Sequence, residues 1–240
     1  MLDTPRDAPA EYHDKLTVAK TFALAIEEAG KLHPAAEPLL VHAALLAPEP
    51  IPLFLFAEAR EKFGEPLASV LAGDGLDEAV ATLRAFALVD RETIVDERDP
   101  TVATDAIRLH RLVREIAGAR CLDEAREEAR RVLTEALAAI YPQTVLNDPK
   151  AWPRGRRLDG LALALVGSDS GLPKGAEMPA SYLLNQLAAY IDLVRRPRPL
   201  IFRAASRAGA RTRRRRGSVS FRDRHHGAEP IVRQILNRMR

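Results

Sequence analysis

Three short β signals, Leu88-Val89, Thr93-Ile94-Val95 and Ile107-Arg108-Leu109, stand in a chain whose apolar residues otherwise recur at three- and four-residue spacing. That pattern confines the fold to a mainly α class with one small β-hairpin. The helical stripes are specific. Leu16, Phe22, Ile26 and Ala29 run on one face to about Leu32, and Pro34 opens a second helix with Leu39, Leu40, Ala43 and Leu46 inward. Pro48, Pro50 and Pro52 form a rigid connection. Pro52 fits the first turn of a third helix, through about Lys62, which Gly64 ends. A short helix over Pro66–Leu71 and a Gly73-Asp74-Gly75 turn follow. The next stripe is Leu76, Val80, Leu83 and Ala87.

The hairpin is followed without a break by Leu109, Leu112, Val113 and Ile116, a helical stripe to about Arg120. Leu83, Leu112 and Ile116 are expected in the core. Helices, then a hairpin with a polar loop at 96–105, then a helix straight from the last strand suit a winged-helix-like module over 16–121, with that loop as the wing. Residues 1–15 read as a disordered lead, being acidic and aperiodic. Over 122–178 a helical linker is expected. Asp123 is its N-cap, with Ala125, Ala129, Val132, Leu133, Ala136, Leu137 and Ile140 inward, and a second helix covers Trp152–Val166. Pro179 opens a last helix, 179–194, with Tyr182, Leu183, Leu187, Tyr190, Ile191 and Val194 in line.

Charge then changes abruptly. Residues 195–240 hold 15 arginines, no lysine and two acids, a net +13, whereas residues 1–194 carry 21 bases against 31 acids, a net −10. The tail lacks the apolar content to offset ordering entropy and is expected to be disordered, apart from a short helix at Ile231–Leu236. An all-arginine tail on a body with six lysines, starting where an amphipathic helix lacks its partner, points to a change of reading frame near Val194. Without a partner helix, the face carrying Tyr182, Leu187, Tyr190 and Ile191 is expected to stay partly exposed.

The chemistry-bearing motifs of common enzymes are missing. There is no G-x-x-x-x-G-K-[ST] and no G-x-G-x-x-G. Ser168, between Gly167 and Gly171, misses the nucleophile-elbow spacing and follows no strand. His225-His226 lie among arginines without carboxylate or thiolate neighbours, so no metal site is expected there. Asp96, Glu97 and Asp99 read as a solvated loop. The single Cys121 reads as a buried or half-buried thiol, and its solitude excludes an internal disulfide. No stretch reaches the roughly 18 apolar residues of a membrane span. The first residues lack the apolar region of a secretory signal, so a cytoplasmic protein with no membrane association is expected. One histidine stands out. His110, in Ile107-Arg108-Leu109-His110-Arg111-Leu112-Val113-Arg114, sits where a strand becomes a helix, beside the unsatisfied N–H groups that favour anions.

With these pieces in order, the sequence resembles the region after the nucleotide-binding core of bacterial NB-ARC, STAND-class ATPases with tetratricopeptide (TPR) repeats. The resembling segments are His33–Phe56, Leu76–Arg91, Ile107–Arg120, Tyr141–Leu165 and Ala180–Val194. The resemblance implies that His110 stands at the histidine of a Met-His-Asp-like motif that contacts the β-phosphate of ADP. Leu109 and Arg111 stand at its flanking positions, Arg111 in place of the acid. Leu158-Asp159-Gly160-Leu161 stands where the family's linker carries Leu-Pro-His-Ala-Leu. It also implies that the phosphate-binding loop would lie upstream.

The function expected is that of a non-catalytic regulatory and protein-interaction fragment of a nucleotide-switch signalling ATPase with a TPR scaffold. It would bind no cofactor itself, meet ADP or ATP only through a core supplied by another domain or chain, and work through a protein partner. A second reading is a winged-helix-type nucleic-acid regulator in which Arg213, Arg214, Arg215 and Arg216 contact phosphates. In that reading the stretch from His110 to Arg120, with bases Arg111, Arg114 and Arg120, would be the recognition helix.

Overall fold

The computed structural model describes residues 10–143, 145, 148–167 and 171–195, with side chains described from 18 to 189. The chain divides into two units, Met1–Leu187 and Ala188–Arg240. The first unit holds every described element apart from the end of the last helix, whose backbone runs on to Arg195.

The described residues are mainly helical, with a small three-stranded antiparallel sheet. In chain order the elements are α1 (Ala10–Leu32), α2 (Ala36–Leu45), β1 (Ile51–Pro52), α3 (Phe54–Glu58), α4 (Leu67–Val70), α5 (Gly75–Ala85), β2 (Val89–Val95), β3 (Ala103–Leu109), α6 (Arg111–Ala119), α7 (Asp123–Ile140), α8 (Trp152–Val166) and α9 (Glu177–Arg195). Residues Arg60–Phe63 and Pro149–Ala151 form 3-10 turns. α1 therefore begins inside the span expected to be a disordered lead, and residues 10–15 are helical.

The hairpin β2–β3 pairs Val89 with Leu109 and Val95 with Ala103. β3 alternates at its end, with Ile107 and Leu109 buried and Arg108 exposed, as a half-buried strand should. The sheet gains a third strand that the prolines conceal. Ile51 pairs with Ile107 and Pro52 with Ala106, giving the order β1-β3-β2. Pro52 thus ends a strand instead of opening a helix, and α3 starts two residues later. Proline has no N–H to give a ladder, so it is tolerated at this sheet edge. The Leu53 N–H resumes the pairing, donating to Asp105 O at 2.9 Å.

Around the sheet, α1, α2, α5 and α6 pack on one another. Ile26, Leu39, Leu40, Leu83, Leu88 and Ile107 are fully buried between them. α7 packs on α2, α3 and α8, with Leu133, Leu137 and Leu158 fully buried. Gly73 takes φ +57° in the turn before α5, the left-handed conformation that favours glycine.

Several expected positions shift. Ala87 lies beyond the end of α5, exposed and at φ +53°. In α6 the buried residues are Val113 and Ala117, Leu112 is 39% exposed, and Ile116 is half-buried. Leu109 belongs to β3 and cannot set the phase of the helix. At the start of α7, Leu122 occupies the N-cap without a side-chain bond, while Asp123 is the first helical residue at φ +46°. Ala125 is exposed, whereas the remaining inward residues named for α7 are buried. α8 has the bounds its sequence suggests. In α9, Leu183 and Leu187 are buried, so Leu187 does not form the open face expected of it. The side chains of Tyr190, Ile191 and Val194, the tail from residue 196 on with Arg213–Arg216, His225 and His226, and Ser168 lie outside the described residues.

Candidate functional site

β3 delivers the chain to the start of α6, and His110 is the residue at the junction. Its backbone is extended (φ −62°, ψ 144°), as an N-cap requires, and its Nδ1 accepts the Leu112 N–H at 3.3 Å. A backbone N–H only donates, so Nδ1 carries the lone pair and the neutral ring carries its proton on Nε2. The side chain is exposed. The junction therefore offers an outward Nε2–H donor beside Arg111, while the other ring nitrogen is committed to the helix.

The rest of α6 is held from below. Arg114 Nη1 donates to Leu46 O at 2.6 Å, Ala43 O at 3.1 Å and Ala44 O at 3.4 Å, closing the C-terminal end of α2 with a cation. Arg120 donates to Glu37 at 2.8 Å and Glu27 at 3.3 Å, tying α6 to α2 and α1. Of the three bases expected to face a nucleic acid, Arg114 is thus turned into the protein and Arg120 is paired with acids at its surface.

A second polar centre lies where α8 meets the hairpin. Three arginines in the first two turns of α8 reach three different places. Arg154 donates to Ile140 O at 3.1 Å, forks onto Glu58 of α3 at 3.0 and 2.5 Å, and lies 4.2 Å over the Phe54 ring. Arg156 forks onto Asp96 in the hairpin loop at 3.0 and 2.5 Å. Arg157 donates to Val95 O at 3.2 Å and lies 3.5 Å from Glu97 and 3.9 Å from Asp96. Trp152, at the head of the helix, donates its Nε1–H to Val145 O at 2.8 Å.

Asp96 is therefore not a solvated loop acid. It is 2% exposed. Its Oδ1 also accepts the N–H groups of Arg98 and Asp99, each at 3.0 Å, so it folds the loop around itself. The Arg156 guanidinium holds its carboxyl down to about 2, against the opposing effect of burial and with help from the two backbone N–H groups. Glu97 is exposed, and Asp99 caps Thr101. No local pattern announces this centre, because Asp96 and Arg156 lie 60 residues apart.

Between α2 and α7 lies a mostly apolar groove of about 570 Å³, lined in part by Val41, His42, Phe63, Cys121 and Val132. Burial pushes the His42 imidazole below its ordinary range, and its Nδ1 is bonded to Pro38 O at 2.8 Å. Burial pushes the Cys121 thiol up. A neutral imidazole and a protonated thiol suit packing; Cys121 is the buried thiol its sequence context suggests. Among the described residues no group of three or more His, Cys, Asp or Glu is placed to hold a metal ion. No helix among them is long and apolar enough to cross a membrane. In comparisons with known proteins, no family model, no curated protein and no solved structure matches this chain.

Proposed function

We propose that the chain is a non-catalytic relay module of a nucleotide-switch signalling ATPase: a winged-helix-like body, a helical linker and the first helix of a TPR scaffold. The observation that carries the reading is the row of arginines on α8, which fastens the linker to the body at the hairpin loop and α3, and to the end of α7 within the linker itself. A displacement of the body is thereby passed to α8 through charged, forked contacts and not through a flexible joint. Two further features support it. The strand order β1-β3-β2, with the first strand between helices and the hairpin after α5, suits a winged-helix-like body. His110 presents its Nε2–H outward, the donor a phosphate oxygen would require.

The sequence holds no phosphate loop, so nucleotide affinity must come from a core on another domain or chain. Isothermal titration of the isolated protein with ADP should give a Kd no tighter than about millimolar. With an ATPase core supplied, His110→Ala should weaken ADP binding while circular dichroism stays unchanged. A micromolar Kd for the isolated chain overturns the reading.

The nucleic-acid reading draws less support. Arg114 is engaged inside the body and Arg120 is paired with Glu37 and Glu27, while the first turn of α5 carries Asp77 and Glu78, with Arg84 the one base in that helix. Neither helix presents a basic face.

A further inference from the structure

Two carboxylates meet where α8 touches the loop that leads into β1. Glu49 lies so close to Gly160 that a Cβ there would overlap its Oε2 and come within 2.6 Å of its Oε1. The Glu49 carboxylate thus rests on the α8 backbone directly beside Asp159. Asp159 is half-buried and accepts the Tyr141 hydroxyl at 2.5 Å.

The charged groups around this pair come from each element packed on α8. The end of α7 contributes Tyr141, whose carbonyl also accepts the Tyr182 hydroxyl of α9 at 3.4 Å. The loop before β1 contributes Glu49. α8 itself contributes Arg156, already forked onto Asp96 of the hairpin loop, and Arg154, already forked onto Glu58 of α3. The turn before α8 contributes Asp148, which caps the Lys150 N–H. Arg156 is thus paired with Asp96 and Arg154 with Glu58, and among the described residues Glu49 has no ion-pair partner of its own.

We propose that Asp159 and Glu49 form a protonation-dependent clasp between α8 and the loop entering β1, tight when Asp159 holds a proton and loosened when it releases it. The proton comes from solvent; taking it up removes one of two facing like charges and leaves a carboxyl that still accepts from Tyr141. Burial, first, pushes the Asp159 carboxyl above its ordinary range, and Glu49 adds to the push, against the Tyr141 hydroxyl and Arg156. The native state accordingly binds more protons than the unfolded chain above the ordinary aspartate value of 3.8. The contact is at full strength below that value and weakens as pH rises through the raised one. The neighbouring Asp96 latch does not mask this, because it responds only below 3.8, on the way to about 2. The clasp stands whether or not the chain relays a nucleotide signal.

Amide hydrogen exchange of the full chain tests it. Corrected for the chemical exchange rate, the amides of Asp159–Leu163 should open about threefold less often at about pH 4, near the ordinary aspartate value, than at about pH 7.5. Asp159→Asn keeps the acceptor for Tyr141 and removes the charge, so its exchange should be slow and flat across that range. Glu49→Gln removes the facing charge and should move the wild-type transition to lower pH. Wild-type exchange without pH dependence, or faster at the lower pH, overturns the clasp. So does an Asp159→Asn protein that keeps the wild-type dependence, or a Glu49→Gln transition that stays in place.

Discussion

Ala87 holds a left-handed backbone conformation that its methyl group resists. α5 ends in a full Schellman motif: the Ala87 N–H donates to Arg84 O and the Leu88 N–H to Leu83 O, each at 2.9 Å. Leu83 and Leu88, both fully buried, supply the apolar contact that accompanies the motif. The residue at the left-handed position is usually glycine. For an L-residue that conformation costs about 1–2 kcal/mol, while glycine loses about 0.5–1 kcal/mol more entropy on folding. The first effect is larger and the Ala87 methyl is exposed, so Ala87→Gly should stabilise by about 0.5 kcal/mol. For a chain of this size that is a rise in Tm of roughly 1–2 °C, read by calorimetry. A fall in Tm would show that the motif is not strained. His110 follows a related logic. Its ring is a cap first, and any contact with an anion must use Nε2 because Nδ1 is taken.

At the scale of elements, the hairpin loop and α8 are joined by one nearly buried carboxylate. Asp96→Ala would strip Arg156 of its forked partner and leave two loop N–H groups without their acceptor. It should cost about 3 kcal/mol by urea unfolding, whereas Glu97→Ala, at an exposed pair, should cost under about 0.5 kcal/mol. Equal effects would mean that the loop is not fastened through Asp96. The pH sign follows from a depressed carboxyl: this stabilisation is complete above the ordinary 3.8 and lost as pH falls through about 2. Much of the fold is legible in the sequence. Helical stripes mark α2, α5 and α7, because a 3.6-residue period reports one buried face. Strand β1 is not legible: two residues carry no period, and Pro52 fits the first turn of a helix equally well. The phase of α6 is hidden because Arg114 turns inward to the carbonyls of α2, a contact 68 to 71 residues away, and rotates Leu112 outward. Of the candidate sites, His110 is visible from its strand-to-helix position. Asp96 and Asp159 are not, because their partners come from distant elements.

At the scale of the whole molecule, the division of charge decides how the chain meets a polyanion. The first 194 residues are net negative, and the remaining 46 hold 15 arginines. In the body, the bases of α6 and α8 are largely spent on internal contacts: Arg120 on Glu27 and Glu37, Arg154 on Glu58, Arg156 on Asp96. A duplex approaching the body therefore meets acids, and any affinity has to come from the arginines beyond it. Binding of that kind is dominated by counterion release, so log K should fall linearly with log salt, with a slope of about −0.9 per phosphate neutralised. Because phosphates carry no sequence information, two unrelated duplexes should bind alike. Replacing Arg213, Arg214, Arg215 and Arg216 together with glutamine in the full chain should flatten the slope by up to about four units and weaken both duplexes equally. Fluorescence anisotropy across a salt series reads both quantities. A quadruple variant that keeps the wild-type slope, or a wild-type protein that prefers one duplex at every salt concentration, would place the contact on the body and reopen the nucleic-acid reading.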